Sequence, residues 1–369
     1  MLLEKVLVIS YYWPPSGGAG VQRALKFVRY LGQYGFQPIV LTVDPQKASY
    51  PVTDPSLSAD LPSGLDVHHT ASFEPLNLLS ALLGKKNVPY GGFANANKES
   101  RTQRMLRWIR GNFFIPDARA GWVPYAFREA VRIIEQQQIK VVFISSPPHS
   151  SQLIGLKLKK RFPSLHWVAD MRDPWTDIYY YKDLLHTPPA AARDARYERE
   201  VLEGAGVVLV VSEAIKRSFL KKSAKLSPDK IKVIPNGYDE HDFQREEQPE
   251  AGHFTITYVG TMAELYRPEV FFRVFRSLLT KHPEINLRFR FVGNAPWTLR
   301  KMVEDMGLAA SCEWIGHVSH ADAISYMLRS DALLLIIPDS EGAEGILTGK
   351  LFEYLGARRL IIGLGPVEG

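Results

Sequence analysis

The sequence predicts two doubly wound α/β domains, each built on a parallel sheet of the Rossmann-like kind. Three observations carry this. A continuous apolar run at 5–13 has the character of a strand buried on both faces of a parallel sheet, and further strands read at 141–146 and 254–260. Helical segments alternate with them in strict turn, the pattern that places helices on both sides of the sheet. The alternation is interrupted once, by the polar and charged stretch 239–252, and then restarts. A chain of 369 residues is also too long for one ordinary core. The expected division is a first domain at 1–240, a linker at 241–252 and a second domain at 253–369.

The order of elements supports each domain. The strand at 5–13 ends in Pro14-Pro15-Ser16-Gly17-Gly18-Ala19-Gly20, and a helix follows at 21–34 with Val21, Leu25, Val28 and Leu31 along one side. A strand, a glycine turn and a helix start make an anion site. Dinucleotide binding asks for a third glycine where Arg23 stands, and only Asp44 offers an acid after the next strand at 39–43, so a nicotinamide dehydrogenase is disfavoured. Residues 44–97 read as irregular, with a short strand at 66–70. At 98–114 a helical wheel sets Met105, Leu106 and Ile109 against Arg104, Arg107 and Arg110. With Trp108 and Phe113 nearby, that segment suits either an anionic membrane surface, met by Arg101, Arg104, Arg107 and Arg110, or packing on its own domain with solvated arginines.

Alternation resumes with a helix at 122–137, strand 141–146, helix 150–161 and strand 166–171. Ligands of such sheets sit at the carboxyl ends of the strands. Two loops lie there: one holds His149 just before a helix start, the other holds Asp170, Arg172 and Asp173. The histidine is well placed to meet a substrate; the three charges fit either a substrate or a structural ion network. A charged helix at 190–203, strand 207–211, a helix capped by Ser212 and strand 230–234 complete the domain.

Past the linker the pattern is strand 254–260, helix 268–280, strand 287–293, helix 296–306, strand 313–318, helix 321–329 and strand 332–338. The series closes on Glu341-Gly342-Ala343-Glu344-Gly345-Ile346-Leu347-Thr348-Gly349-Lys350, a glycine-rich loop that becomes a helix near Thr348 and then an apolar strand at 360–364. Free N–H groups and the positive end of the helix dipole favour an anion there. Lys350 lies in the first turn and Glu353 three residues on, a cation and a carboxylate suited to a phosphate and a sugar hydroxyl, or to a solvated ion pair.

Composition narrows the classes. An apolar share of 46% and a charged share of 23% are those of a soluble globular protein, and no run is long enough to span a membrane. No signal peptide is evident, so the expected compartment is the cytoplasm. The lone Cys312 leaves no internal disulfide or thiolate cluster and reads as a core residue. A net charge of +6 favours anionic partners, but no zinc spacing or RNA-binding aromatic signature is present, and nucleic acid is not expected.

Five motifs, in order, resemble the GT-B glycosyltransferases of the large retaining class called family 4, of the bacterial cell-envelope type. They are Y-Y-W-P-P-S-G-G-A-G-V-Q-R at 11–23, D-M-R-D-P-W at 170–175, V-I-P-N-G at 233–237, Y-V-G-T at 258–261 and T-G-K-L-F-E-Y-L at 348–355. The resemblance covers nearly the whole chain. It implies two Rossmann-like domains facing across a cleft, the first for the acceptor and the second for the donor, a nucleotide-diphosphate sugar linked to UDP or GDP. It implies retaining, metal-independent transfer to a glycan or lipid-linked sugar, at the inner face of the cytoplasmic membrane, with no cofactor beyond the co-substrate. Arg267 and Lys350 match the basic residues that meet the donor diphosphate, with Gly17 and Gly18 approaching from the first domain and Gly260 and Thr261 forming the second glycine turn. Glu353 matches the carboxylate expected at the ribose. His149 and Asp173 fall near the residue placed beside the transferred sugar.

The sequence also departs from that pattern. The first carboxylate of the family's E-x7-E element falls on Gly345; Glu344, one residue away, and Glu341 are the candidates to replace it. Arg267 stands several residues beyond its usual place after Gly260-Thr261. The chain stops at Gly369, soon after the strand following the Glu353 helix, so the second domain is expected to be incomplete. Rival functions on the same fold are a sugar-nucleotide 2-epimerase and a non-catalytic nucleotide-sugar binding protein.

Overall fold

The computed structural model describes residues 3–74, 101–178, 180–262, 266–338 and 348–366. They form two compact units that divide between Pro235 and Asn236.

The first unit is a seven-stranded parallel sheet in the order β3-β2-β1-β4-β5-β6-β7. Its strands are β1 (Glu4–Ile9), β2 (Phe36–Val43), β3 (Asp66–Thr70), β4 (Val141–Ser146), β5 (His166–Met171), β6 (Val207–Val210) and β7 (Ile231–Val233). Helix α1 (Ala19–Leu31) lies on one face; α3 (Val123–Gln137), α4 (Gln152–Arg161), α5 (Pro188–Gly204) and α6 (Glu213–Leu220) pack on the other. The two-residue period of a strand explains why β1 is apolar throughout: Val6 and Val8 enter the core beneath α1, whereas Leu7 and Ile9 enter the core on the opposite face.

The second unit is a five-stranded parallel sheet in the order β10-β9-β8-β11-β12. Strands β8 (Phe254–Val259), β9 (Leu287–Val292), β10 (Cys312–Gly316), β11 (Ala332–Ile336) and β12 (Leu360–Leu364) alternate with α7 (Glu269–Lys281), α8 (Trp297–Asp305), α9 (His320–Leu328) and α10 (Gly349–Ala357). Leu334 and Ile336 of β11 face the core of α7 and α8, and Leu333 and Leu335 face that of α9 and α10. Cys312, expected in the core, is half-buried against the first of these, and burial pushes its thiol up to about 12.

Both sheets reverse direction once, between β1 and β4 and between β8 and β11. Loops leaving adjacent strands toward opposite faces open a crevice at such a point. The topology therefore brings the Gly17-Gly18 turn and the His149 loop to one sheet edge, and the Gly260 turn and the start of α10 to the other.

Two expectations need restating. The stretch 241–252, read as a linker, is fastened along the second unit: Glu250 binds Arg288 (3.2 Å) and Arg290 (2.7 Å), and Glu247 binds Arg329 (3.2 Å). The wheel drawn at 98–114 is corrected within helix α2 (Arg101–Phe113). Met105 is 55% exposed, while Arg107 and Arg110, set against it on the wheel and solvated in the own-domain reading, are half-buried; burial, with Arg119 adding, holds the Arg110 guanidinium below its usual range. The reason is the way the helix docks. Gly111 lies so close to the Leu184 carbonyl that an added Cβ would be 2.0 Å away, and Asn112 donates to Leu185 O (3.0 Å) and accepts from Thr187 N (2.7 Å). These C-terminal polar and small residues fix the buried side, and Met105, Trp108 and Phe113 are left exposed.

Candidate active site

In the second unit the site is built around Lys350. Helix α10 starts after Thr348, which places Lys350 at its second residue, and the side chain folds back over the turn that ends β8. Its Nζ donates to the Tyr258 hydroxyl (2.5 Å) and to the Thr261 carbonyl (3.3 Å) and lies 4.3 Å from the Tyr258 ring centroid. None of these partners carries a formal charge. Burial, opposed by Glu353, lowers the ammonium pKa to about 8. Gly260 makes the approach possible: at φ 111° its added Cβ would stand 2.7 Å from Lys350 Cε. Gly293 does the same one strand over, since a Cβ there would be 2.3 Å from the Gly260 carbonyl oxygen.

Glu353, one turn after Lys350, is held by His320 Nε2 at 3.2 Å, from the first residue of α9. Arg267 is exposed, just beyond the same turn. Glu341, Glu344 and Gly345 lie outside the described residues.

In the first unit the glycine turn is braced from beneath. Gly17 N donates to Val52 O (2.9 Å), and Gly18, at φ 85°, is the residue before α1 with open space where a Cβ would be. The nearby charges resolve the alternatives left open by the sequence. Asp170, wholly buried, accepts from Arg23 Nε (3.0 Å) and Ser145 Oγ (2.9 Å), and Arg23 also binds the Ile234 and Pro235 carbonyls (2.9 and 3.1 Å). Arg172 spends its guanidinium on the carbonyls of Ser146 (3.0 Å), Gly20 (2.8 Å) and Pro147 (3.3 Å). Asp170 and Arg172 are thus structural, tying three loops together.

His149, in the neighbouring loop, is held differently. The histidine is half-buried, its ring stacks on Trp175 (4.8 Å between centroids, 10° between planes), and its Nδ1 has no hydrogen-bond partner among the described residues. Burial pushes its pKa down, aided by Arg172 and opposed by Asp117 and Asp173, so the neutral imidazole is favoured. Asp173, two residues before Trp175 in the loop after β5, is half-buried.

Sequence reasoning missed Tyr258, Gly293, His320 and Trp175. Tyr258 was legible as the inward residue before a glycine turn, where a polar-tipped ring seeks a partner. The rest depend on strand order.

Both sheets, with this switch-point arrangement, have the fold of the GT-B glycosyltransferases. Solved structures of that fold include sucrose-phosphate synthase from Thermosynechococcus elongatus, 12% identical, covering 98% of this chain and 82% of that one with a TM-score of 0.58. WaaG, a glycosyltransferase involved in lipopolysaccharide biosynthesis, is 13% identical and covers 97% and 80% with a TM-score of 0.54. UDP-GlcNAc 2-epimerase from Methanocaldococcus jannaschii is 10% identical and covers 97% and 83% with a TM-score of 0.50. No curated protein matches by sequence. Residues 90–242 match Glycosyltransferase Family 4 and residues 239–345 match Glycosyl transferases group 1, so the chain belongs with these glycosyltransferases.

Proposed function

We propose that the chain moves a sugar from a UDP- or GDP-linked donor to an acceptor hydroxyl, with retention and without a metal, in building a cell-envelope polysaccharide or glycolipid. The observation that carries this is Lys350, an ammonium held over a glycine turn by neutral groups alone and with its pKa at about 8. A diphosphate supplies the negative charge that it lacks. Departure of a nucleoside diphosphate builds negative charge, and a preorganised cation beside a helix start stabilises it. Arg267 adds a second cation, Glu353 takes the ribose hydroxyls, and Gly17, Gly18, Gly260 and Thr261 offer close backbone approach. His149 and Asp173 act at the transferred sugar, and Glu344 is the carboxylate assigned to the donor sugar.

The test is an assay of purified protein with UDP- and GDP-sugars and an acceptor panel in the presence of a chelator, reading released nucleoside diphosphate and the product anomer by NMR. Release with a retained anomer, lost in Lys350→Ala, supports the reading. Interconversion of the donor at C2 without stable transfer would establish the epimerase instead, and binding without either reaction would leave a nucleotide-sugar binding protein.

A membrane surface is the second part of this reading, and it includes an acceptor that is lipid-linked and work on the cytoplasmic side. Supporting it, α2 exposes Met105, Trp108 (42%) and Phe113 (70%) beside the exposed Arg104. An apolar group flanked by arginine suits an anionic interface, and among the described residues no helix is long and apolar enough to cross a membrane. Trp108→Ala with Arg104→Gln should abolish sedimentation with phosphatidylglycerol vesicles; unchanged sedimentation would sink this part.

A further inference from the structure

His149 is held in place from two directions. Its backbone is fixed through the next residue, because Asp117 accepts both Ser150 N (2.8 Å) and Ser150 Oγ (2.8 Å) where the chain turns into α4. Its ring lies flat against Trp175, an almost fully buried indole. That indole is not free to rotate: Trp175 Nε1 donates to Asp194 Oδ1 (2.8 Å), from α5. Asp194 is itself set by the Tyr181 hydroxyl, which donates to its other oxygen (2.9 Å). Thr176, next in the loop, is pinned to the same helix by Glu198, which accepts from Thr176 N (3.2 Å) and Oγ1 (2.6 Å).

A buried carboxylate is an expensive group to retain in a helix facing a core, and an apolar residue would fill its place. Here its two oxygens are occupied by an indole N–H and a phenol O–H, and neither is a charged partner. What the carboxylate does that an apolar residue would not is set the rotation of one particular ring, and the only described aromatic contact of that ring is with His149. The imidazole plane is then held at a fixed angle, with its Nδ1 buried and without a hydrogen-bond partner among the described residues.

We propose that Asp194 is a positioning residue: through Trp175 it fixes the imidazole plane of His149 for contact with the transferred sugar. The first part is structural and stands by itself; the contact with sugar rests on the function proposed above.

The experiment compares Asp194→Ala, Asp194→Asn and Trp175→Phe in the full chain, with folding checked by near-UV circular dichroism. Histidine ring resonances are recorded by NMR, with His149 assigned by its absence in His149→Gln. In the wild type the ring current of Trp175 places His149 upfield. Asp194→Ala is expected to move it downfield and to lower kcat by about 10- to 100-fold, the loss that a small misplacement of a reacting group brings, with donor KM changed less than about threefold. Asn keeps an acceptor for Nε1 and a donor for Tyr181, so Asp194→Asn should restore both readouts. Where Asp194→Ala does not fold, Trp175→Phe carries the test and should also shift His149. Unmoved His149 resonances in folded Asp194→Ala or Trp175→Phe would overturn the proposal, as would an equal loss in Asn and Ala. Wild-type turnover in His149→Gln would instead overturn the role of His149 in transfer, while the ring readout would still report on Asp194.

Discussion

The two sheet edges carry similar residues in opposite electrical states. In the first unit, Arg23 and Asp170 neutralise one another and Arg172 is shared among three carbonyls, all out of solvent. In the second, Lys350 has a hydroxyl and a carbonyl for company, with no carboxylate at ion-pair distance among the described residues, and its pKa has fallen to about 8. A charge buried with its counter-charge has nothing left to offer a ligand and serves the scaffold. A charge kept partly desolvated without one is stabilised by whatever anion arrives.

The comparison breaks most visibly under truncation of Asp170. Asp170→Ala strands the Arg23 and Ser145 donors in the core and should cost about 3–5 kcal/mol of stability, read by chemical denaturation, whereas Lys350→Ala should cost little or nothing. Equal losses at the two positions would remove the distinction.

Gly260→Ala comes next. A Cβ at φ 111°, 2.7 Å from Lys350 Cε, adds backbone strain of about 1–3 kcal/mol and displaces the ammonium. Nucleoside diphosphate affinity should fall by roughly tenfold or more, while Gly18→Ala, with open space at its Cβ, should show only the strain.

The smallest effect is a pH dependence of stability. Burial raises the Asp194 carboxyl to about 6, against the bonds from Trp175 and Tyr181 that hold it down. A carboxyl raised above its ordinary 3.8 favours the fold below that value, and the contribution is lost as pH rises through about 6. Asp194→Asn should therefore be more stable than the wild type at pH 7, on the order of 2 kcal/mol, with the difference vanishing toward pH 4. A pH-independent difference would contradict the assignment.

Much of this fold was readable because its determinants are local. Strands of a parallel sheet are largely apolar, so β4, β5 and β12 fall where the strands at 141–146, 166–171 and 360–364 are predicted. Short 3-10 turns at Ala120–Trp122 and His149–Ser151 shift the starts of α3 and α4, because hydrogen bonding at helix ends is decided by neighbours. Lys350 and Gly260 were legible as motifs, but their contact was not: it follows from β8 pairing with β11, Thr257 beside Leu333, elements far apart in the chain. The orientation of α2 failed for the same reason. A helical wheel reports which residues share a side, and the small residues Gly111 and Asn112, which have no weight in an apolar count, chose which side is buried.

The most direct measurement is calorimetric titration of a nucleoside diphosphate into the wild type and Lys350→Ala between pH 6.5 and 9.5, in buffers of differing ionisation enthalpy. An ammonium with no carboxylate at ion-pair distance among the described residues and a pKa of about 8 predicts proton uptake on binding near that pH and affinity that declines above it. In Lys350→Ala the uptake should disappear, with affinity lower by about 10- to 150-fold at neutral pH, the value of one charge-assisted bond. Binding that is indifferent to pH, or unchanged by the substitution, would contradict the assignment of Lys350 to the donor diphosphate.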